Sequence, residues 1–311
     1  MKLIVGGGAG FIGGALSREL ASLGMDVVAI DDLRSGVPPL LLQKRLSFEK
    51  ADLSQPRVLK RFSDSKSPSV YIHVAGQSDP AISLEYPEKD LERTVIPVIR
   101  LTEAISDLPL ESVILVSTGE VLSGDDPEPR DENSSVNPQN PYGATHLLAE
   151  RYLQYRLGEQ GIPFSIVRLP PVYGPGMRQA SEGGFIAKAA RFVLDGYPYW
   201  SMRLKNNGLK YRDYLYIDDA VSAISSILTQ KIRGLIHVSG YEAGTEREIF
   251  TQLRLLSGRD VPLEYEGGSD PVALKRVLST NRDTSEWDWM SEVSLSEGLL
   301  KTLDYFRGHS K

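Results

Sequence analysis

The sequence predicts a doubly wound α/β fold: a parallel sheet covered by helices, with a smaller, interleaved C-terminal region. Three observations carry that expectation. Short apolar runs alternate with amphipathic stretches through the first half of the chain, as strand–helix–strand units require. Gly7, Gly10 and Gly13 follow the first apolar run directly and open a helical pattern. Asp31 closes the second apolar run, eighteen residues after Gly13. At 311 residues the chain exceeds one average domain, so one large domain or two sharing an interface is expected.

Taken in order, Leu3–Val5 reads as the first buried strand. Ile12, Leu16, Leu20 and Leu23 then form an apolar stripe at helical spacing, stopped at Gly24. Val27–Ile30, Val70–Val74 and Val113–Val116 read as further buried strands, with a helical pattern over Glu88–Ile105 between the last two. In PQNPYGATHLLAERY, Asn140 suits a helix N-cap and Pro141 the first helical position, where no backbone donor is needed. That helix is expected to end near Gly158 or Gly161, before a strand over Ser165–Leu169. The second half is less regular and rich in Gly, Pro and aromatics: LPPVYGPGM, DGYPYW, KNNGLKYRDYLYIDD. Such segments suit a substrate pocket. Leu235–Ser239 reads as one more strand returning to the sheet.

Composition narrows the function classes. A hydrophobic content of 41% and a charged content of 24% are those of a soluble globular protein. The net charge of −6 and the lack of a basic block argue against nucleic acid or an anionic membrane as the main partner. There are no cysteines, which excludes disulfides, thiolate catalysis and cysteine metal sites, and fits a cytoplasmic location. No metal site is expected. The opening MKLIVGGGAGFIGG is broken by glycines after five residues, too early for a signal peptide or a membrane span.

The glycine turn has a chemical reading. Glycines allow a tight turn and close approach of a pyrophosphate, while the helix that follows offers free N–H groups and a favourable dipole. Asp31 lies close to the spacing of about 20 expected for an acid that binds both ribose hydroxyls and repels a 2′-phosphate. That favours NAD over NADP. Arg34 is near enough to bind a phosphate instead, and Asp32 reads as a solvated loop acid.

GGGAGFIGG, IDDLRSG, ADL at Ala51–Leu53 and HVAGQ at His73–Gln77 together resemble the extended short-chain dehydrogenase/reductase superfamily. VSTGEV at Val116–Val121, PYGATHLLAE at Pro141–Glu150, VYGPG at Val172–Gly176, YRDYLYIDD at Tyr211–Asp219 and KRVLSTNRDTSEWDW at Lys275–Trp289 continue it. The resemblance spans essentially the whole chain and is closest to the NAD-dependent nucleotide-sugar epimerase/dehydratase family. It implies a Rossmann dinucleotide-binding domain over 1–169 and a region over 170–311 that mainly binds a nucleotide-diphosphate sugar. A segment near 212–240 would return to the first domain. It further implies a cofactor site of Gly7, Gly10, Phe11, Ile12, Gly13 and Asp31, with Asp52 and Leu53 flanking adenine. Ala75, Gly76 and Gln77 would lie under the cofactor, and Gln77 also near the sugar. Thr118 would hydrogen-bond the substrate hydroxyl, Tyr142 would be the catalytic tyrosine, and Arg212 and Arg276 would hold the diphosphate. Planar guanidinium forks pair bidentately with phosphate oxygens, though each arginine alone could equally form a surface salt bridge. The helices containing Glu88–Ile105 and Tyr142–Gly158 would form a four-helix homodimer contact.

The chain departs from the family where a lysine is usual, four residues after the tyrosine: position 146 is histidine. A tyrosine of pKa about 10 needs nearby positive charge to act as a base at neutral pH, and a free histidine titrates near about 6.5. Glu150, one further turn along, could raise the histidine if it faces the same way. Three readings stay open: His146 replaces the lysine as a weaker catalytic partner, the chain has drifted toward binding, or the position was changed to weaken catalysis. Thr94 and Pro171 stand where asparagines are common, and Val121-Leu122-Ser123-Gly124 where VYG often follows the glutamate, so the sugar pocket is expected to be atypical.

The reaction class turns on Glu120. Transient oxidation at C4 followed by hydride return to the other face gives a 4-epimer and needs no further base. Elimination or decarboxylation wants an extra acid or base. Thr118-x-Glu120 resembles the pattern of sugar 4,6-dehydratases and uronate decarboxylases, but the Asp often found between them is Gly119. The leading expectation is a 4-epimerase. A dehydratase or decarboxylase using Glu120, an NADPH-dependent keto-sugar reductase, and a regulatory NAD-binding protein with a degraded site are the alternatives.

Overall fold

The computed structural model describes residues 2–36, 44–55, 57–62, 69–122, 129–177, 184–195, 202–267, 275–280 and 285–309. Residues 196–200 of DGYPYW, Ser123 and Gly124, and 281–284 of the tail lie outside the described residues.

The chain opens with β1 (Lys2–Gly6), α1 (Phe11–Ser22), β2 (Asp26–Asp31), β3 (Leu46–Lys50) and β4 (Ser69–His73). Two short helices, α2 (Pro80–Glu85) and α3 (Pro87–Asp90), precede α4 (Ile96–Ala104). β5 (Leu110–Thr118), α5 (Pro141–Gln160) and β6 (Phe164–Leu169) complete the regular half. The strand expected at the second-half return is also present. After β7 (Val172–Tyr173), α6 (Phe185–Asp195), β8 (Met202–Lys205), β9 (Tyr211–Asp213), β10 (Leu215–Tyr216) and α7 (Ile217–Thr229), the chain forms β11 (Gly234–His237) against β6. β12 (Ala243–Thr245), α8 (Glu246–Ser257), β13 (Leu263–Glu266), β14 (Lys275–Arg276) and α9 (Leu295–Gly308) follow.

Seven strands form one parallel sheet in the order β11-β6-β5-β4-β1-β2-β3, as the sequence predicts for a doubly wound fold. Strand residues alternate between two cores. Leu3, Val5, Val70, Ile72, Ile114 and Val167 face one cluster, shared with α1, α6, α7, α8 and α9. Ile4, Tyr71, Val113, Leu115 and Ile166 face the other, shared with α4 and α5. Burial on both faces is why these strands read as near-continuous apolar runs. The chain order reverses between β1 and β4, which opens a crevice beyond their C-terminal ends.

Two elements differ from expectation. β3 was not anticipated: LSFEK is an edge strand, mostly half-exposed, so it carries charge where a central strand carries none. The helix expected over Glu88–Ile105 is interrupted by a wider, π-type turn over Leu91–Val95 before α4. Pro97 lies in the first turn of α4, and a proline cannot donate to the carbonyl four residues back. The widened turn accommodates it, a device often found beside functional sites.

Candidate active site

The crevice is a cavity of about 460 Å³, and every site residue expected from the sequence lines it. Gly7 leaves β1 with φ of +80°, and a side chain there would meet the backbone of Ala75 at 2.6 Å. That close approach brings the turn after β1 against the turn after β4. Gly10 is the N-cap of α1 and makes no side-chain cap, so the first-turn N–H groups around Phe11, Ile12 and Gly13 face the cavity wall unmasked by a capping side chain. Asp31 ends β2, and its carboxylate accepts from the backbone N–H of Leu33 at 2.8 Å and of Ala9 at 3.1 Å. Arg34 is committed elsewhere: it pairs with Asp52 at 2.8 Å and with Asp32 at 3.2 Å. Asp32 is a loop acid that keeps solvent contact and shares an exposed ion pair with Arg34. Leu53 is buried beside Asp52 in the cavity wall.

Ala75, Gly76 and Gln77 form the floor. The Gln77 N–H donates to Thr94 Oγ1 at 3.0 Å, and Thr94 Oγ1 donates to Asp90 Oδ1 at 2.8 Å. Thr94, standing where asparagine is common, thus anchors the loop. The widened turn before α4 holds it there.

Tyr142 and His146 occupy one face of α5, with ring centroids 4.5 Å apart. Their helix starts as the sequence predicts. Asn140 Oδ1 accepts from the Gly143 N–H at 2.8 Å, and Gly161 closes the helix with φ of +65°. Gly143 is required by space, because a Cβ would sit 2.2 Å from the carbonyl oxygen of Glu120. This contact presses the start of α5 against the turn after β5 and puts Tyr142 within a hydrogen bond of Thr118. Burial and the charge of Glu120 push the Tyr142 phenol up, against the smaller effect of the Thr118 bond. Burial pushes His146 down, offset in part by the negative charge of Asp90, a hydrogen bond to the Gln77 backbone and Glu150. With the protein alone, both groups are held neutral at neutral pH. His146 Nε2 is buried without a hydrogen-bond partner.

Glu150 raises His146 as expected, though as the smallest of the three upward effects. Its carboxylate is taken by Arg168, at 2.7 and 3.0 Å, and by the Ser117 hydroxyl at 2.6 Å. Asp90 acts more strongly on His146 than Glu150 does.

Glu120 is also bound. It forms an ion pair with Arg276 and accepts from Asn140 Nδ2 at 2.9 Å. Burial pushes its carboxyl up, but Arg276, Arg212 and the Asn140 bond outweigh this and hold it below the usual carboxylate range. Arg212 and Arg276 sit side by side as register partners on β9 and β14, both nearly fully buried at the cavity edge. Gly119 faces Leu278, whose side chain would lie 3.1 Å from an added Cβ. Leu278 belongs to an apolar cluster with Val121 and Leu122. Pro171 opens the last cavity wall and accepts from the Leu215 N–H at 3.0 Å.

Sequence reasoning missed Asp90, the second bond of Asn140 and Leu278. The Asp90–Thr94 spacing of four was available as a signal. Leu278 was not visible, since only the pairing of β14 with β9 brings it over Gly119.

The cradle fits a dinucleotide: a glycine turn at a helix N-terminus, an acid at the end of β2, and an orphaned imidazole nitrogen beside a tyrosine. Comparison with known proteins agrees. The model of the NAD dependent epimerase/dehydratase family matches residues 3–238. The chain is similar to a UDP-glucose 4-epimerase of Mycolicibacterium smegmatis, at 29% identity over 100% of both chains. It is similar in structure to a UDP-glucose 4-epimerase of Thermotoga maritima solved with UDP-glucose, with a TM-score of 0.89, 28% identity and 100% of both chains covered. A UDP-glucose 4-epimerase of Thermus thermophilus, solved in complex with NAD, matches with a TM-score of 0.88 and 27% identity over 99% of both chains.

Proposed function

The chain belongs to the NAD-dependent epimerase/dehydratase family, and from that premise we propose that it is a nucleotide-sugar 4-epimerase working through transient oxidation at C4. NAD, when bound, supplies the hydride acceptor. Gly7, Gly10, Phe11, Ile12, Gly13, Asp31, Asp52, Leu53, Ala75, Gly76 and Gln77 would hold it, with Tyr142 and His146 at its reactive end. Thr118 orients the substrate hydroxyl, and Tyr142 takes its proton. Burial alone holds the Tyr142 phenol too high for this work at neutral pH, so the base is armed only when positive charge enters the site. Arg212 and Arg276 bind the diphosphate, held side by side by the β9–β14 register, with Glu120 paired to Arg276.

The observation that carries the 4-epimerase reading is the state of Glu120. A base for the C5 proton needs a carboxylate free to accept it, with a pKa near the working pH. Glu120 is ion-paired to Arg276, bonded to Asn140 and held below the ordinary carboxylate range. Position 119, where a second acid would stand, is glycine, and Leu278 packs 3.1 Å from the place of its absent Cβ. Epimerisation needs neither.

The test is a screen of UDP-, dTDP- and GDP-sugars in deuterated water, read by mass spectrometry. Unchanged mass, a changed sugar and no ring deuterium is the expected result. Loss of water with solvent deuterium at C5 would replace this reading with a dehydratase, and loss of carbon dioxide with a decarboxylase. Glu120→Gln should raise KM through the arginine pair, while kcat falls by less than the ~10²–10⁴-fold that removal of a proton-transfer group costs.

A second reading has one observation behind it. His146 is held neutral where the family carries a cation, which supports a protein that binds NAD and turns over slowly. A homodimer through the α4 and α5 faces and a cytoplasmic location complete the proposal. Exposed Leu91, Leu148 and Tyr155 support the first; among the described residues, no helix is long and apolar enough to cross a membrane.

A further inference from the structure

Asp90 is a carboxylate with no exposed surface, at the end of α3 beneath the catalytic pair. Nothing in the reaction proposed above uses it. Two hydroxyls hold it: Thr94 Oγ1 donates to Oδ1 and Thr145 Oγ1 to Oδ2, each at 2.8 Å. Neither donor is a cation, so the hydrogen bonds satisfy its oxygens without adding a positive charge. Both donors lead to His146. Thr145 is its chain neighbour. Thr94 accepts from the Gln77 N–H, and the Gln77 backbone is in turn hydrogen-bonded to the His146 ring. Nε2 itself is buried and has no hydrogen-bond partner. Gly76 lies between the two side chains: a Cβ there would sit 3.5 Å from Thr94 Oγ1 and 3.6 Å from His146 Cε1.

We propose that Asp90 is a positioning residue that fixes the His146 ring through Thr94 and Gln77 and supplies the buried negative charge that offsets part of the cost of a positive charge at this histidine, where the family has lysine. A lysine stays charged at neutral pH with margin to spare, whereas an imidazole does not and needs an anion close by. The other groups facing His146 do not supply one as well. His73 on β4 is itself buried and opposes a charge on His146. Tyr142 on the same helix is neutral. Glu150, one turn on, is spent on Arg168 and Ser117, and Glu120 in the turn after β5 on Arg276. The inference rests on the reading of Tyr142 and His146 as the catalytic pair.

Two measurements test it. In cofactor-free protein labelled at histidine Cε1, the NMR titration of His146 is followed from about pH 4 to about pH 8 in wild type and Asp90→Asn, with His309 as the exposed control. The titration of His146 should move to lower pH in the variant and that of His309 should not; an unmoved His146 overturns the proposal. Turnover is then compared in four proteins: wild type, Asp90→Asn, His146→Lys and the double variant. Asp90→Asn should lower kcat roughly tenfold near neutral pH beside histidine and less than about twofold beside lysine. Equal losses in both backgrounds would make Asp90 merely structural. If Asp90→Asn does not fold, Thr145→Val serves. It removes a hydroxyl that stabilises the buried carboxylate anion, so the His146 titration should again move to lower pH; no movement or movement to higher pH overturns the proposal. The titration decides on Asp90 even if no nucleotide sugar is turned over, which keeps its failure separate from that of the proposed activity.

Discussion

At the scale of single residues, the site is a tyrosine waiting for positive charge. Burial and Glu120 raise the phenol, and burial holds the neighbouring imidazole neutral, so the sign of the pH dependence follows directly. His146 gains its proton only below the ordinary histidine range. If its charge assists Tyr142, the contribution grows as pH falls through that range, while deprotonation of Tyr142 grows as pH rises. Wild-type kcat should therefore peak in a narrow window. His146→Lys, charged throughout, should raise turnover near neutral pH and broaden the profile. His146→Ala should lower turnover, and Tyr142→Phe should cost most, because the proton acceptor is gone. A profile over about pH 6 to 9 checks all three. Unchanged turnover in His146→Ala would make the histidine structural.

At the scale of elements, what the sequence made legible is what local chemistry dictates. The strand over Leu3–Val5, the stripe of Ile12, Leu16 and Leu20, and the Asn140-Pro141 helix start all appear where composition and spacing put them. β3 was hidden because an edge strand shows little apolar patterning, and the break before α4 because a proline within a helical pattern does not reveal how the backbone adapts. That Glu150 also pairs with Arg168 was not legible, because Arg168 comes from β6 and only the sheet order brings them together. The same faces bear on assembly. α4 and α5 pack on each other over the sheet, yet Leu148 and Tyr155 on α5 are 48% and 61% exposed, and Leu91 in the turn before α4 is 41% exposed. These are side chains that the proposed homodimer contact would cover. A dimer mass in light scattering at micromolar concentration is the expected result. Leu148→Glu with Tyr155→Glu should yield monomers that keep the fold by circular dichroism.

At the scale of the whole molecule, the buried histidines and the cofactor crevice both tie function to stability. His73, His146 and His237 are buried, and each is held below its ordinary value, His73 down to about 4, mainly by burial. An unfolded chain binds protons at these positions near about pH 6.5, where the folded one does not, so stability is full above that pH and falls as pH drops toward the folded values. His73 alone accounts for about 3 kcal/mol over this window, at about 1.4 kcal/mol for each unit. Urea unfolding at about pH 7.5 and about pH 5 should show the loss, and His73→Gln should reduce it. The crevice acts in the other direction. It is walled by loops from β1, β2, β4 and β5 and by the start of α5, so a dinucleotide there clamps elements that unfolding must separate. At a free concentration of 100 times its Kd, NAD should add about 2.7 kcal/mol. NADP should add less on the proposed role of Asp31, whose carboxylate would repel a 2′-phosphate, while Arg34, the nearby cation, is paired with Asp32 and Asp52. Affinity for NAD at least about tenfold higher than for NADP, a difference of roughly 1.4 kcal/mol by calorimetry, should appear as a smaller thermal shift with NADP at equal concentration. Asp31→Ser should narrow the gap between the two. Equal shifts in the wild-type protein would mean that Arg34 leaves its two acids when a phosphate arrives, and that Asp31 does not select the cofactor.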